Sequence, residues 1–343
     1  MEMDLSCFKA YDIRGRYPTQ LNPPLAFALG RAIAAHFTPD TALLGHDARL
    51  SGPALHGALA AGLRTGGVKV SSLGLCGTEE VYDATARHGY AMGVMVTGSH
   101  NPADENGFKL VRAGAVPVSA DSGLPALRAR VAALLAAPSA PTAFQPAPPP
   151  VAVSHRAEYV RWLLAYSGFA TPPPGRRLKI VADCGNGCAG LVLRELAPQL
   201  PLDIVPLRAT PDGRFPNGVP NPLLPERRAA TAAAVREHHA DMGVAWDGDF
   251  DRCFLYDATG RFIEGYYLVG LLAHILLRSH PGARIIHDTR LYWNTREMVS
   301  AAGGVPLMGK TGHAFMKERL RAAGALYGGE LSAHYYFRAC LSG

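Results

Sequence analysis

Three aspartates, Asp247, Asp249 and Asp251, stand at alternate positions in the run DGDFDR, with Gly248 and Phe250 between them. In a tight loop their carboxylates turn toward one point, and clustered anions repel unless a hard cation neutralises them. Mg²⁺ is the expected occupant. A calcium-binding EF-hand is disfavoured, because its loop needs a Glu at the twelfth position and here that position is Ala258. The plainer alternative is a polar hairpin turn, since Asp and Gly both favour turns. A second run, TGSHNP at 97 to 102, puts the hydroxyl of Ser99 on a glycine-containing turn beside His100, with Asn101 and Pro102 fixing the exit. It reads either as an exposed nucleophile or phosphate-carrying serine, or as an ordinary Ser/Asn turn. The absence of a G-x-S-x-G elbow argues against an α/β-hydrolase.

Three further runs carry groups that can bind. CGNG at 184 to 187 follows a strand pattern and precedes a helix, as phosphate-binding turns do, but it matches neither G-x-G-x-x-G nor the Walker pattern. A structural tight turn is favoured there. KTGH at 310 to 313 brings Lys310 and His313 to the start of a helix, where a cation and a helix N-terminus can hold an anion. GELSAH at 329 to 334 sets Glu330, Ser332 and His334 at alternate positions, which at strand spacing would share one face and form a polyol-binding edge.

Apolar runs of strand length alternate with helical patterns along the chain, which predicts an α/β fold with largely parallel or mixed sheets in three successive units. The first unit contains strands ALLGHD, VKVSSLGL and AMGVMV and a helix over 53 to 65. TGSHNP leaves the end of AMGVMV, where an open α/β sheet places its ligands. Residues 136 to 150 are rich in Pro and Ala and read as an extended linker. Beyond it, LKIVAD, a helix to about 199, LDIVPLR and a helix over 226 to 239 build the second unit, in which MGVAW and RCFLYD flank DGDFD. The third begins near Gly265 and continues through ARIIHD, VPLMGK, an amphipathic helix over 313 to 323, and GGELSAHYYF. The expected division is 1 to 145, 151 to 256 and 257 to 343. Because a βαβ layer rarely ends directly after a strand, the third unit is expected to be incomplete.

At 343 residues the chain exceeds what one growing core supports, so clefts between domains are expected. Lys plus Arg number 34 against 28 Asp plus Glu, a mild excess that suits a phosphorylated substrate; the basic residues are scattered, so no nucleic-acid partner is expected. The acidic N-terminus indicates no signal or transit peptide. The most apolar stretch, Tyr266 to Leu277, is too short to cross a bilayer of about 30 Å, so no membrane partner is expected and a cytoplasmic location is. The six cysteines are dispersed, and the single C-x3-C pair, Cys184 and Cys188, is weak evidence for zinc; reduced, mostly buried thiols are expected.

Taken in order, FKAYDIRG (8 to 15), TGSHNP, DGDFDR, KTGH and GELSAH resemble the signature set of the α-D-phosphohexomutases. Weaker stretches extend the likeness over nearly the whole chain: GHDAR (45 to 49), LCGTEEVY (75 to 82), ADCGNGCAG (182 to 190) and PDGRFPNGVPNP (211 to 222). The start FKAYDIRG and GELS look more like the phosphomannomutase/phosphoglucomutase branch than the phosphoglucosamine mutases. The resemblance implies reversible conversion of hexose 1-phosphate into hexose 6-phosphate through a hexose 1,6-bisphosphate. It makes Ser99 the phosphorylated serine, completing a Mg²⁺ site with Asp247, Asp249 and Asp251. Arg252 would lie against the phosphoserine, Tyr11 and Arg14 would support its loop, and Lys109 would exchange a proton with the attacking sugar hydroxyl. His334 would form the opposite wall, Lys310 and His313 would lie near the ring, and Glu330 and Ser332 would grip two sugar hydroxyls.

Two departures from the family pattern bear on the site. Gly98 stands where the family commonly has alanine, and Ala333 where it has glycine; at positive φ that methyl would cost ~1 kcal/mol or more. Family members also carry a fourth domain, which holds the non-transferring phosphate. It is missing here, so a truncated chain is expected, either weakly active or reduced to binding sugar phosphates. Chemistry of the aspartyl-phosphate phosphatase type on DGDFD is a further alternative.

Overall fold

A computed structural model of the chain describes residues 4–137, 149–168 and 176–340. They form three α/β lobes, each around its own mixed sheet. In the first, Thr41–His46 runs parallel to Lys69–Leu75 on one side and to Met92–Val96 on the other. Glu105–Arg112 is antiparallel to Met92–Val96, and Ile13–Arg16 closes that edge. All five residues of Met92–Val96 are buried, as a central strand covered on both faces requires. Helices Pro23–Phe37 and Gly52–Thr65 pack together over this sheet. The first of these is set by Asn22, whose side chain accepts from Leu25 N at 3.0 Å, and by Pro23 in the first turn, where a missing N–H is harmless.

The second lobe orders its strands Phe262–Ile263, Cys253–Tyr256, Met242–Trp246, Leu178–Asp183 and Leu202–Leu207. Met242–Trp246 and Cys253–Tyr256 are antiparallel with Trp246 opposite Cys253, so residues 247–252 form a hairpin loop at the end of a central strand. The helix expected over 226 to 239 is shorter: a 3₁₀ turn, Pro225–Arg227, precedes Ala229–Glu237. The linker expected over 136 to 150 falls, for residues 138–148, outside the described residues.

In the third lobe Arg284–Asp288 lies between Val305–Gly309 and Tyr327–Gly329, both parallel to it. Tyr335–Phe337 then returns antiparallel to Tyr327–Gly329. Residues 330–334 are therefore the turn of a hairpin, which corrects the reading of GELSAH as a continuous strand with one polar face. The turn needs a left-handed residue, and Ala333 supplies it at φ 65°. The turn is closed by Ala333 N donating to Glu330 O at 3.1 Å, and Cys253 N donates to Ala333 O at 3.0 Å, tying the second lobe to the third.

Ala333→Gly tests how the position balances. Relief of left-handed strain is worth about 1–2 kcal/mol. Losing one buried methyl costs about 0.8 kcal/mol, and the freer unfolded chain costs about 0.4–1 kcal/mol. An unfolding free energy within about 1 kcal/mol of wild type, in either direction, is the expected result; a loss larger than that would show that packing around the methyl dominates.

Among the described residues no helix is long and apolar enough to cross a membrane.

Candidate active site

The three lobes meet at a cleft of about 600 Å³ lined by residues of each, among them Tyr11, Arg14, Ser99, Lys109, Arg252, His313, Glu330, Ser332 and His334. The Ser99 loop leaves the carboxyl end of Met92–Val96, and the aspartate loop leaves the carboxyl end of Met242–Trp246. The two chain ends point at each other across the joint. Ser99 Oγ donates to Asp247 Oδ2 at 2.5 Å and lies 3.1 Å from His100 Nδ1. Thr78 N, at the start of helix Thr78–Arg87, donates to the Asp249 carbonyl at 3.1 Å, joining the first two lobes through the backbone as well.

Both loops depend on left-handed backbone. Ser99 has φ 50° and Phe250 has φ 49°, which turn the chain sharply enough to bring alternate side chains together. Asp247 and Asp249 are fully buried, and a ligand atom of each of the three aspartates lies within 4.8 Å of the others. Asp249 Oδ2 accepts from Thr78 Oγ1 at 2.6 Å, Thr97 Oγ1 at 3.1 Å and Lys109 Nζ at 2.7 Å. Lys109 Nζ also donates to Asp251 Oδ2 at 2.5 Å. Asp249 Oδ1 is buried without a hydrogen-bond partner, and Asp251 Oδ1, likewise without a hydrogen bond, has only the His334 ring 3.4 Å away. Orphaned carboxylate oxygens in one cluster are what a hard divalent cation satisfies, so the residues fit Mg²⁺.

Burial, then Asp251 and Asp249, push Asp247 up to about 7. Burial and Asp251 would also raise Asp249, but Lys109 and Arg14 override them and hold it at about 2. Burial alone would lower Lys109; Asp249 and Asp251 hold it above its ordinary value, as an ammonium. His100 is pushed down to about 2 by burial and then by Arg252 and Arg14, so its ring is neutral beside Ser99.

Arg14 Nη1 donates to the Thr97 carbonyl at 2.5 Å and its Nε to Asp12 at 2.8 Å, bracing the serine loop. Arg252 Nε lies 3.9 Å from Asp247 Oδ2. His334 stands at the far wall, with Nε2 3.4 Å from Asp251 Oδ1 and Nδ1 2.9 Å from Ser332 Oγ. Tyr11 packs edge-on against His313, ring centroids 5.3 Å apart, and so joins the first lobe to the third at the cleft that Ser99 also lines. Lys310 is not among the cleft-lining residues: its Nζ faces Asp121 at 3.5 Å, and both side chains are open to solvent. Nor is the helix N-terminus at KTGH free for an anion, because Gly312 N already donates to Glu330 Oε1 at 2.7 Å. That carboxylate takes the part an external anion was expected to play, and it also accepts from Tyr336 Oη at 2.5 Å. CGNG is a structural turn: Gly187 sits where a Cβ would meet Gly248 O at 2.6 Å, so the close approach of two backbones requires glycine.

Family models of the phosphoglucomutase/phosphomannomutase α/β/α domains I, II and III match residues 6–134, 157–260 and 264–342. The chain belongs to the phosphoglucomutase/phosphomannomutase family. A phosphohexose mutase of Xanthomonas campestris pv. campestris is 56% identical over 336 residues, covering 98% of this chain and 73% of the relative. Phosphomannomutases of Salmonella montevideo and Escherichia coli K12 are 52% and 50% identical; the matches cover 98% and 97% of this chain and 73% of each relative. A crystal structure of a phosphoglucomutase/phosphomannomutase family protein from Burkholderia thailandensis superposes with a TM-score of 0.87 at 34% identity, over 98% of this chain and 73% of that one. Membership of the phosphoglucomutase/phosphomannomutase family makes the chain a phosphotransferase of the mutase kind, and the three lobes are the family's first three α/β domains.

Within this family site, one residue has no counterpart among the sequence-derived candidates. Arg49 is fully buried beneath the serine loop, and its guanidinium donates to the carbonyls of Ser99 at 2.9 Å, Asn101 at 2.6 Å and Glu105 at 2.6 Å, and to that of Pro102. Asp47, 3.3 Å from its Nε, neutralises it and accepts from Thr97 Oγ1 and Gly98 N. A Cβ on Gly98 would stand 2.2 Å from the guanidinium, which accounts for glycine where alanine is common. The run GHDAR was the only trace of this pair in the sequence.

Proposed function

We propose that the chain interconverts hexose 1-phosphate and hexose 6-phosphate, of mannose, glucose or both, through a phosphorylated Ser99 and a hexose 1,6-bisphosphate. The observation that carries the reading is the 2.5 Å contact between Ser99 Oγ and Asp247 Oδ2, a hydroxyl of one lobe meeting the acidic loop of another. Mg²⁺, held by Asp247, Asp249, Asp251 and an oxygen at Ser99, would neutralise charge on the transferring phosphoryl group.

In the first half-reaction the bond between phosphorus and Ser99 Oγ breaks and a bond from phosphorus to the free sugar hydroxyl forms. The hydroxyl proton leaves and a proton returns to Ser99 Oγ. Lys109 and His334, both against Asp251, are the groups that hold and move it. The bisphosphate turns over in the cleft, and its other phosphate returns to Ser99. Glu330 and Ser332 hold sugar hydroxyls; a carboxylate offers about four lone-pair sites, so Glu330 can accept from sugar while keeping Gly312 N and Tyr336 Oη. Arg252 and Arg14, cationic and lining the cleft, orient the phosphate. A cleft of this size suits a sugar bisphosphate.

Mass measurement tests the proposal. Incubation of the 343-residue chain with glucose 1,6-bisphosphate should add one phosphate, mapped by peptide fragmentation to Ser99. An adduct on an aspartate of DGDFD would point to the aspartyl-phosphate alternative. No adduct at all would leave a chain that binds sugar phosphates without turnover.

A further inference from the structure

On the outer side of the joint between the first two lobes, helix Thr78–Arg87 ends at His88, and helix Arg156–Ser167 of the next lobe begins at His155. The two imidazoles stack at 3.7 Å with their planes 18° apart. Glu158, one turn into the second helix, lies against them with Oε2 3.3 Å from His88 Nε2. A ligand atom from each of the three residues lies within 4.8 Å of the others. The Tyr90 hydroxyl is 3.5 Å from His155 Nε2.

We propose that His88, His155 and Glu158 form a second metal site, for a zinc-like transition ion, sharing no residue with the aspartate loop. Two imidazole nitrogens and a carboxylate are a donor set for Zn²⁺ and its neighbours, whereas Mg²⁺ prefers oxygen throughout. Two imidazolium cations would repel at this separation. Burial, and then His88, hold His155 below its ordinary value in keeping with this.

Two bonds of about 2.1 Å to a common ion reach about 4 Å end to end, and stacked rings aim their in-plane lone pairs side by side, so completing the set asks for about 1 Å of side-chain motion and for one imidazole to turn out of the stack. The three side chains are open enough to make it, and the backbone beneath them is already anchored. Arg156 Nε donates to Glu80 Oε1 at 2.7 Å, and Arg87 stacks over Trp162 at 4.5 Å while donating to Asp83 at 2.6 Å. Both neighbouring arginines thus have acidic partners of their own. A bound ion would cross-link the first lobe to the helix leading into the second, across the joint at which Ser99 faces Asp247.

The test uses the full chain stripped with a chelator, then titrated calorimetrically with Zn²⁺ while excess Mg²⁺ fills the aspartate loop. Wild type should take up one Zn²⁺ and melt at a higher temperature with it. His88→Gln and His155→Gln should melt like wild type without zinc, bind zinc at least about tenfold more weakly, and lose the zinc-dependent rise. Equal binding by wild type and variants, or no uptake by wild type, would overturn the proposal.

Discussion

Ser99→Ala should abolish phosphate loading and lower hexose phosphate turnover by a factor on the order of 10⁴ or more, the size of loss seen when a covalent carrier is deleted. The fold should survive. The lost hydroxyl leaves Asp247 without its 2.5 Å donor, but Arg252 N still approaches Asp247 Oδ1 at 3.3 Å. Mg²⁺, when held there, and Arg252, whose Nε lies 3.9 Å from Asp247 Oδ2, would still balance the carboxylate, so it is not left an unpaired buried charge. The stability cost should therefore stay near ~1 kcal/mol. Steady-state rates with hexose 1-phosphate plus a little 1,6-bisphosphate, beside a denaturation curve, separate the two effects. Turnover within tenfold of wild type would place the phosphoryl carrier elsewhere and sink the mechanism.

The second large effect belongs to a residue that touches no substrate in the proposed reaction. Arg49→Met should cost about 3–5 kcal/mol, because it removes a buried cation and strands Asp47 together with the carbonyls that hold the serine loop. Turnover should fall about a hundredfold even in the folded fraction, since a displacement of ~1 Å at a reacting group can cost that much. Arg49→Lys should recover little: lysine restores the charge, but one nitrogen cannot span carbonyls at Ser99, Asn101, Pro102 and Glu105. The clash between a Cβ at 98 and the guanidinium makes the pair non-additive, so Gly98→Ala should be milder in the Arg49→Met background than alone. Additive losses, or an Arg49→Lys protein with wild-type activity, would show that Arg49 is ordinary core rather than the strut of this loop.

Much of the molecule was legible along the chain. Alternating strand and helix patterns announced three α/β units with mixed sheets, and the strands before TGSHNP and DGDFD lie where those patterns put them. Local composition sufficed because a buried central strand must be continuously apolar, and a sharp turn must use residues that accept positive φ or lack a Cβ. The aspartate cluster was visible for the same reason: three carboxylates within five residues can hardly avoid one another.

What spacing could not decide was how distant segments complete one another. GELSAH has strand spacing, yet it turns, because Ala333 adopts φ 65° and the chain folds back to pair Gly329 with Tyr335. The helix at KTGH has a free-looking N-terminus, yet Glu330 fills it from the following hairpin. Arg49 shows in the sequence only as the end of GHDAR, which says nothing of its role, since its partners lie some fifty residues downstream and are backbone carbonyls, which every residue possesses. Side-chain chemistry and turn propensity are written locally in the chain. Which buried charge meets which orphaned acceptor is settled only when the lobes close, because desolvation then makes every unpaired polar group costly.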